Sequence, residues 1–406
     1  MKILLPFLLA VPALVSAAPD WLEWRGPTRN GNIHLGAAPW PERLTKENLR
    51  KIWSADLAEG YSGPIISGNR LFTVETKDKE REIVRAFDRK TGKQIWESAW
   101  AGKAKVPFFA AKNGSWVRST PACDGKTLYV GGMRDVLVAL DAATGNERWR
   151  VDFPQAEQTA RPQFGFVCSP LLAKDHIYVQ AGAALRKIRK SDGKTVWKAL
   201  EDERAMWGEA FSSPVRATMG GRDQILVQTR MSLAGVAPGD GKVLWSTPVK
   251  AFRGMNILTP TAIGDNVFTA TYGGGSFYFK VDEKGAAQTW NNEKLEGFMS
   301  SPLAIDGKIY LHGRDKRLHC LDPAQRKVLW STKNKFGEYW SMVANRNRVL
   351  ALDQDGDLIL FDADPSGFKL VDRLQVSERS TWAHIAVCGS EIYIRDLKGI
   401  TAYRWK

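Results

Sequence analysis

The chain has 406 residues, 44% hydrophobic and 25% charged, with a mean hydropathy of -0.30. That balance predicts a soluble globular protein with a large buried core and excludes a disordered chain. The net charge of +14 favours acidic partners, but the basic residues are scattered through turns instead of lining one stripe, which argues against nucleic acid.

Residues 1–17 carry one cation, Lys2, then an apolar run from Ile3 to Val15 and small residues at Ser16 and Ala17. This is the pattern of a secretory signal peptide cleaved after Ala17. The run is too short to span a bilayer and is broken by Pro6 and Pro12, and no later stretch is long enough. No cysteine lies near the cleavage site to take a lipid. A periplasmic or secreted chain of net charge +13 is therefore expected, with no transmembrane segment in the mature protein. Cys123, Cys168, Cys320 and Cys388 fall in separate repeats and form no Cys-x-x-Cys motif, so buried thiols are favoured over two disulfides.

The dominant signal is a repeat of 40 to 53 residues marked by Trp53, Trp96, Trp149, Trp197, Trp245, Trp290 and Trp330. Asp88, Asp141, Asp282 and Asp322 each stand eight residues before a tryptophan, across a turn such as Thr91-Gly92-Lys93. Repeats open on a small residue and a proline: Gly63-Pro64, Thr120-Pro121, Ser169-Pro170, Ser213-Pro214, Thr259-Pro260 and Ser301-Pro302. Four short strands per period, bounded by Gly, Asp and Pro, make one blade of a β-propeller. An indole on the outer strand would fill the gap between blades, which widens with radius. These seven tryptophans are therefore read as structural.

Blades are expected at residues 60–98, 117–151, 167–199, 211–249, 257–291, 299–332 and 340–373, with a last one at 382–406 that holds only three strands. The seventh has Leu370 where the tryptophan would be. The strand around Trp53 has no preceding strands of its own, so it should complete blade eight and remove an open edge. The expectation is thus an all-β, single eight-bladed propeller of four-stranded antiparallel blades over residues 51–406. Residues 18–50 would form an N-terminal segment packing on it, in which Arg25 and Arg29, with Trp21, Trp24 and a Gly-Pro turn, clamp across one face.

Propeller sites lie where loops converge on the central channel. The connections into each first strand are aromatic and basic. They supply Trp116 and Arg118; Arg161 and Phe166; Trp207 and Glu209; Arg253 and Asn256; Tyr339 and Trp340; and Trp382 and His384. If these converge, aromatic plates interleaved with arginines suit a flat anionic ligand or a peptide strand. The alternative is that the aromatics plug the channel and the arginines are solvated or pair with Glu209. No nucleophile and base stand at a recognisable spacing, Gly273-Gly274-Gly275 precedes a strand and not a helix, and His384 alone is read as a loop histidine. No catalytic or metal-binding residue is assigned.

The Asp-x7-Trp spacing, the Gly-Lys-x-x-Trp turns and the Ser-Pro openings resemble the repeats of pyrroloquinoline-quinone (PQQ) type propellers. That family includes quinoprotein alcohol dehydrogenases and the outer-membrane assembly factor BamB. The opening Trp21-Leu22-Glu23-Trp24-Arg25-Gly26-Pro27-Thr28-Arg29-Asn30-Gly31 is similar to that of secreted PQQ-like propellers of planctomycete and verrucomicrobial bacteria. The resemblance implies the fold from about Trp53 to Trp405 and says little about function. The adjacent cysteine pair of the dehydrogenase branch is missing, since Cys123 and Cys168 are 45 positions apart. The expected function is a non-catalytic binding or scaffold propeller of the envelope, monomeric or within a complex, engaging a protein or acidic envelope component without a cofactor. The alternatives are a PQQ-dependent alcohol or sugar dehydrogenase with calcium, in which Glu209 would act as base, and a polysaccharide-binding propeller.

Overall fold

In the computed structural model, which describes residues 19–33, 40–202 and 210–406, thirty-two strands form eight four-stranded antiparallel sheets. Seven are consecutive in the chain. The eighth joins Ala386–Cys388, Glu391–Asp396 and Gly399–Trp405 to Leu49–Asp56, paired from Leu49 opposite Trp405 to Asp56 opposite Gly399. The expected closure by the N-terminal strand is thus observed. A buried cluster holds the seam with blade one: Arg89 pairs with Glu391 at 2.8 Å, Tyr393 donates to the same carboxylate at 2.6 Å, and Arg404 reaches its other oxygen at 2.7 Å. The signal-peptide reading, at residues 1–17, lies outside the described residues.

The tryptophans do more than fill space. Each blade's outer strand carries a bulge in its pairing with the third, one residue before the tryptophan position, as at Ile95 before Trp96 and Val196 before Trp197. The extra residue turns outward, which is why Ile95 and Val196 are exposed, and re-aims the indole at the next blade. There the Trp53 Nε1–H donates to Arg89 O at 2.9 Å, Trp149 to Lys190 O at 2.7 Å and Trp330 to Asp364 O at 2.8 Å. The receiving turn is held by its aspartate: Asp88 Oδ1 accepts from the amides of Lys90 and Thr91. Its glycine lies under the incoming ring. A Cβ on Gly92, at φ +71°, would stand 2.5 Å from the Trp53 indole. The repeat spacing therefore records a dock between neighbours, an indole on one blade and an Asx turn with glycine on the next. Trp245 departs from it and donates to Gln224 within its own blade.

In blade seven the register puts Asp372, not the expected Leu370, at the tryptophan position, opposite Leu360 as Trp96 is opposite Ala86, because the bulge falls at Val371; this seam therefore lacks an indole. Chain from before the propeller covers it. Trp40 packs on Trp405 at 5.5 Å, buried Leu44 donates its amide to Asp372 at 2.8 Å, and both join the core of blades one, seven and eight. The four cysteines are buried free thiols.

Candidate functional site

Two constructions shape the central channel. The first lies on the face that carries the strand 1–2 and strand 3–4 turns. Trp21 bridges to Ile66 of blade one and Asn32 to Ala344 of blade seven, and the chain between them crosses the axis. Arg25 donates to Pro302 O at 2.5 Å. Arg29 donates to Ser169 O, Pro170 O and Pro214 O at 3.0, 2.6 and 3.1 Å, and pairs with Glu23. Both arginines are buried at positive φ, and Arg25 is lowered to about 10 by burial, so it stays charged at neutral pH. Through these bonds the two arginines tie the segment to blades three, four and six.

The second construction is a chain of side-chain hydroxyls around the axis. Gly63 N–H donates to Thr120 Oγ1, Ser169 N–H to Ser213 Oγ, Ser213 N–H to Thr259 Oγ1 and Thr259 N–H to Ser301 Oγ, at 2.9 to 3.1 Å. At Thr120, Ser213, Thr259 and Ser301 the small residue before the proline thus fits the narrow axis and accepts the amide of the blade before it, while the proline fixes the turn into the first strand.

Above this ring, on the face of the long connections, opens a cavity of about 320 Å³. Trp24 of the crossing segment forms its floor, edge-on to His384 at 5.8 Å. One wall is a stack in which Trp382 lies between Tyr61, 5.2 Å away, and Tyr339, 5.9 Å away. Phe109, Phe164 and Phe211 form a second wall, and Tyr272 with Phe298 a third. The Arg118 guanidinium lies over the Tyr61 ring at 5.7 Å and donates to Gly114 O at 2.6 Å; Lys112 is the other cation. Among the described residues no carboxylate lines this cavity. His384 is pushed down to about 3, by burial first and then by the nearby Arg25 charge, so its ring is neutral at neutral pH. Its Nδ1, 2.8 Å from Ile385 O, must carry the proton, leaving Nε2 as an acceptor.

Of the candidates read from the sequence, the cavity brings together Arg118, Tyr339, Trp382 and His384. Trp116 stands behind the wall, edge-on to Tyr61 at 5.6 Å. Arg161 faces a separate groove with Glu157 and Arg186, and Arg253 is exposed on a 3-10 turn against Phe252. Phe166, Asn256 and Trp340 are framework: Phe166 packs over Gly131 between blades two and three, Asn256 donates to Thr229 O and Arg230 O, and Trp340 begins a core strand and donates to Asp353 at 2.7 Å. These three follow a loop into a strand, where the chain turns inward and the side chain is buried before the channel is reached. Trp207 and Glu209 lie outside the described residues. Sequence reasoning missed Trp24, Tyr61, Phe211, Tyr272 and Phe298 as lining residues. Tyr272 sits in a strand 2–3 turn, which surfaces on the same face as the connections into each first strand.

Residues 79–332 match the family described as outer membrane protein assembly factor BamB. The chain belongs to that family. BamB of Yersinia pestis is 24% identical over 348 residues, 80% of this chain and 79% of that one. A polyvinylalcohol dehydrogenase of Sphingopyxis sp. (strain 113P3) is 26% identical over 225 residues, 48% of this chain and 32% of its own length. Among solved structures, BamB from Moraxella catarrhalis superposes with a TM-score of 0.66 at 15% identity, covering 88% of this chain and all of that one. A quinohemoprotein alcohol dehydrogenase from Comamonas testosteroni gives 0.65 at 15% identity, covering 97% of this chain and 81% of that one. At such identities the likeness concerns the PQQ-type propeller fold alone.

The dehydrogenase likeness raises a quinone held with calcium. Calcium takes roughly six to eight oxygen ligands, carboxylates foremost. The described lining offers hydroxyls, aromatic rings and two cations, and the nearest cysteines are in separate blades. Those residues do not fit that pair of groups, and no chemical step is derived through it.

Proposed function

We propose that this chain is a non-catalytic binding propeller of the cell envelope that holds a partner protein at the channel mouth. The observation that carries the reading is the one-sided build of the channel. One end is closed by the chain's own arginines on backbone carbonyls, while the other is a cavity walled by aromatics on a face that also exposes Phe108 and Phe252. Aromatic area beside cations, free of carboxylate among the described lining, is the composition of an interface core. Membership in the BamB family and the envelope role in its relatives' names support the same reading, as does the signal-like start of the sequence.

Photo-crosslinkers placed at Phe109 and, as a control, at Lys194 on the opposite face test it in native envelopes. The expected result is a reproducible adduct from position 109 only, abolished by Trp382→Ala. Equal adducts from both positions overturn the assignment of the face. A second reading, a quinone-dependent dehydrogenase, draws on the 26% identity over 225 residues to a protein named polyvinylalcohol dehydrogenase. Tight binding of PQQ with calcium and dye-linked alcohol oxidation by the purified chain would establish it and displace the first.

A further inference from the structure

The four hydroxyls at the base of the cavity are half spent. Thr120, Ser213, Thr259 and Ser301 each accept an amide N–H from the neighbouring blade. Among the described residues, none of the four donates its own proton to an acceptor. A hydroxyl that has accepted still has one hydrogen to give, and all four line the cavity. Thr120, Ser213 and Thr259 are at most 4% exposed, so what hydroxyl surface they offer is offered to the cavity. The base of the mouth is therefore an arc of O–H donors below the Arg118 guanidinium, with His384 Nε2 as its acceptor, while the Lys112 ammonium at the rim pairs with Glu338 at 3.9 Å.

That excess of donors specifies an occupant rich in acceptors and negatively charged, and the walls specify one with an apolar body. The channel is also blind, because Trp24 and the segment carrying Arg25 and Arg29 close it below. A polypeptide entering it cannot pass through, and the hydroxyl donors at the base are best satisfied by the free carboxylate of a chain that ends there. The apolar area continues from the wall residue Phe109, 47% exposed, onto Phe108 outside the cavity at 89%. An occupant that ended at the mouth would leave that rim bare, so the bound molecule is a chain that extends over it.

We infer that the mouth captures the C-terminal residue of a partner polypeptide, with the carboxylate on the hydroxyl arc and near Arg118, and an aromatic or large aliphatic last side chain between the aromatic walls. The inference rests on the proposal of a protein-binding face and narrows it to a chain end.

The probe is an N-acetylated, fluorescein-labelled hexapeptide ending in Phe, with a free carboxylate or as the C-terminal amide, titrated against the full chain by fluorescence anisotropy. The acid should bind at least about tenfold more tightly than the amide, as expected for loss of a charge-assisted contact. Arg118→Met should remove most of that preference while Arg118→Lys retains part of it, and Ser213→Ala should weaken the acid and leave the amide nearly unchanged. Thermal melts of each variant establish that it is folded. Equal binding of acid and amide, no binding of either, or preference for a neutral oligosaccharide or a lipid vesicle would overturn the inference. If the crosslinking from position 109 survives such a result, the protein-binding face stands and only the chain-end reading falls.

Discussion

The two ends of the channel are built from the same kinds of residue and behave oppositely. At the base, Trp21, Arg25 and Arg29 sit among backbone carbonyls that accept from the arginines, and the segment is a structural part of the ring. At the mouth, Tyr61, Trp382 and Arg118 surround a cavity whose hydroxyls have protons left to donate. Composition alone does not separate plug from site. The difference lies in where hydrogen-bonding capacity is used up by the protein itself.

The sharpest way to break this contrast is at the base. Arg29→Ala leaves three carbonyls and the Glu23 carboxylate without their cation in a buried setting, and removing one member of a buried pair costs about 3–5 kcal/mol. Urea unfolding should show a loss of that size, and a loss below about 1 kcal/mol would mean that the segment is not integral to the ring.

The seams between blades give the next largest effect, and it depends on pH. Glu82 accepts from Met133 N–H and from Trp100 Nε1–H, each at 2.6 Å, and burial raises it from 4.5 to about 7. A carboxyl raised on folding binds more protons in the native state than in the unfolded one between these values. Stability from this group is therefore full below about pH 4.5 and falls as pH rises through 7, by about 3 kcal/mol. Asp135, raised to about 7 by burial, acts in the same direction at the next seam. Melting the wild type and Glu82→Gln across pH 4.5 to 8 should show a shallower decline in the variant, and parallel curves would remove Glu82 as the cause.

Gly92→Ala tests the dock between blades. Its Cβ would meet the Trp53 ring at 2.5 Å in a left-handed turn, for a cost of about 2 kcal/mol. Replacement of exposed Ile95 by Thr, one residue from the dock of Trp96, should change denaturation midpoints negligibly. The smallest effect is expected at the mouth: Arg118→Met should alter stability by less than about 1 kcal/mol, because a site kept for a partner is not needed to hold the fold. A large loss there would erase the distinction between the two ends.

The ring was legible in the sequence because its signal is local and repeated. An indole, an Asx turn and a Ser-Pro step recur at a fixed spacing, and the unpaired strand around Trp53 pointed to its partner at the other end. The site was legible only in part. Arg118, Tyr339, Trp382 and His384 lie in the aromatic and basic connections into the first strands. Phe166, Asn256 and Trp340 lie in the same connections and turn into the core, a choice set by the strand register a residue or two later and invisible in composition. Trp24 was missed as cavity floor because it arrives from a segment more than 200 residues distant from Tyr272, Phe298, Tyr339 and Trp382 of the wall it faces. The Ser-Pro and Thr-Pro steps were visible as a sequence motif, yet their contacts from blade to blade exist only once blades one to six face one axis.

The pairing of Leu49–Asp56 with Gly399–Trp405 has a consequence for how the molecule is made. Seven sheets can zip from neighbouring segments as soon as each is available, but the circle waits for the last strand to appear. Through all of that interval the first strand is an unsatisfied edge, open to a second copy or to a chaperone. Completion is then a single late contact of very long sequence separation, sealed by Arg89, Glu391, Tyr393 and Arg404, so an unfinished or clipped chain would be marked by its open ring.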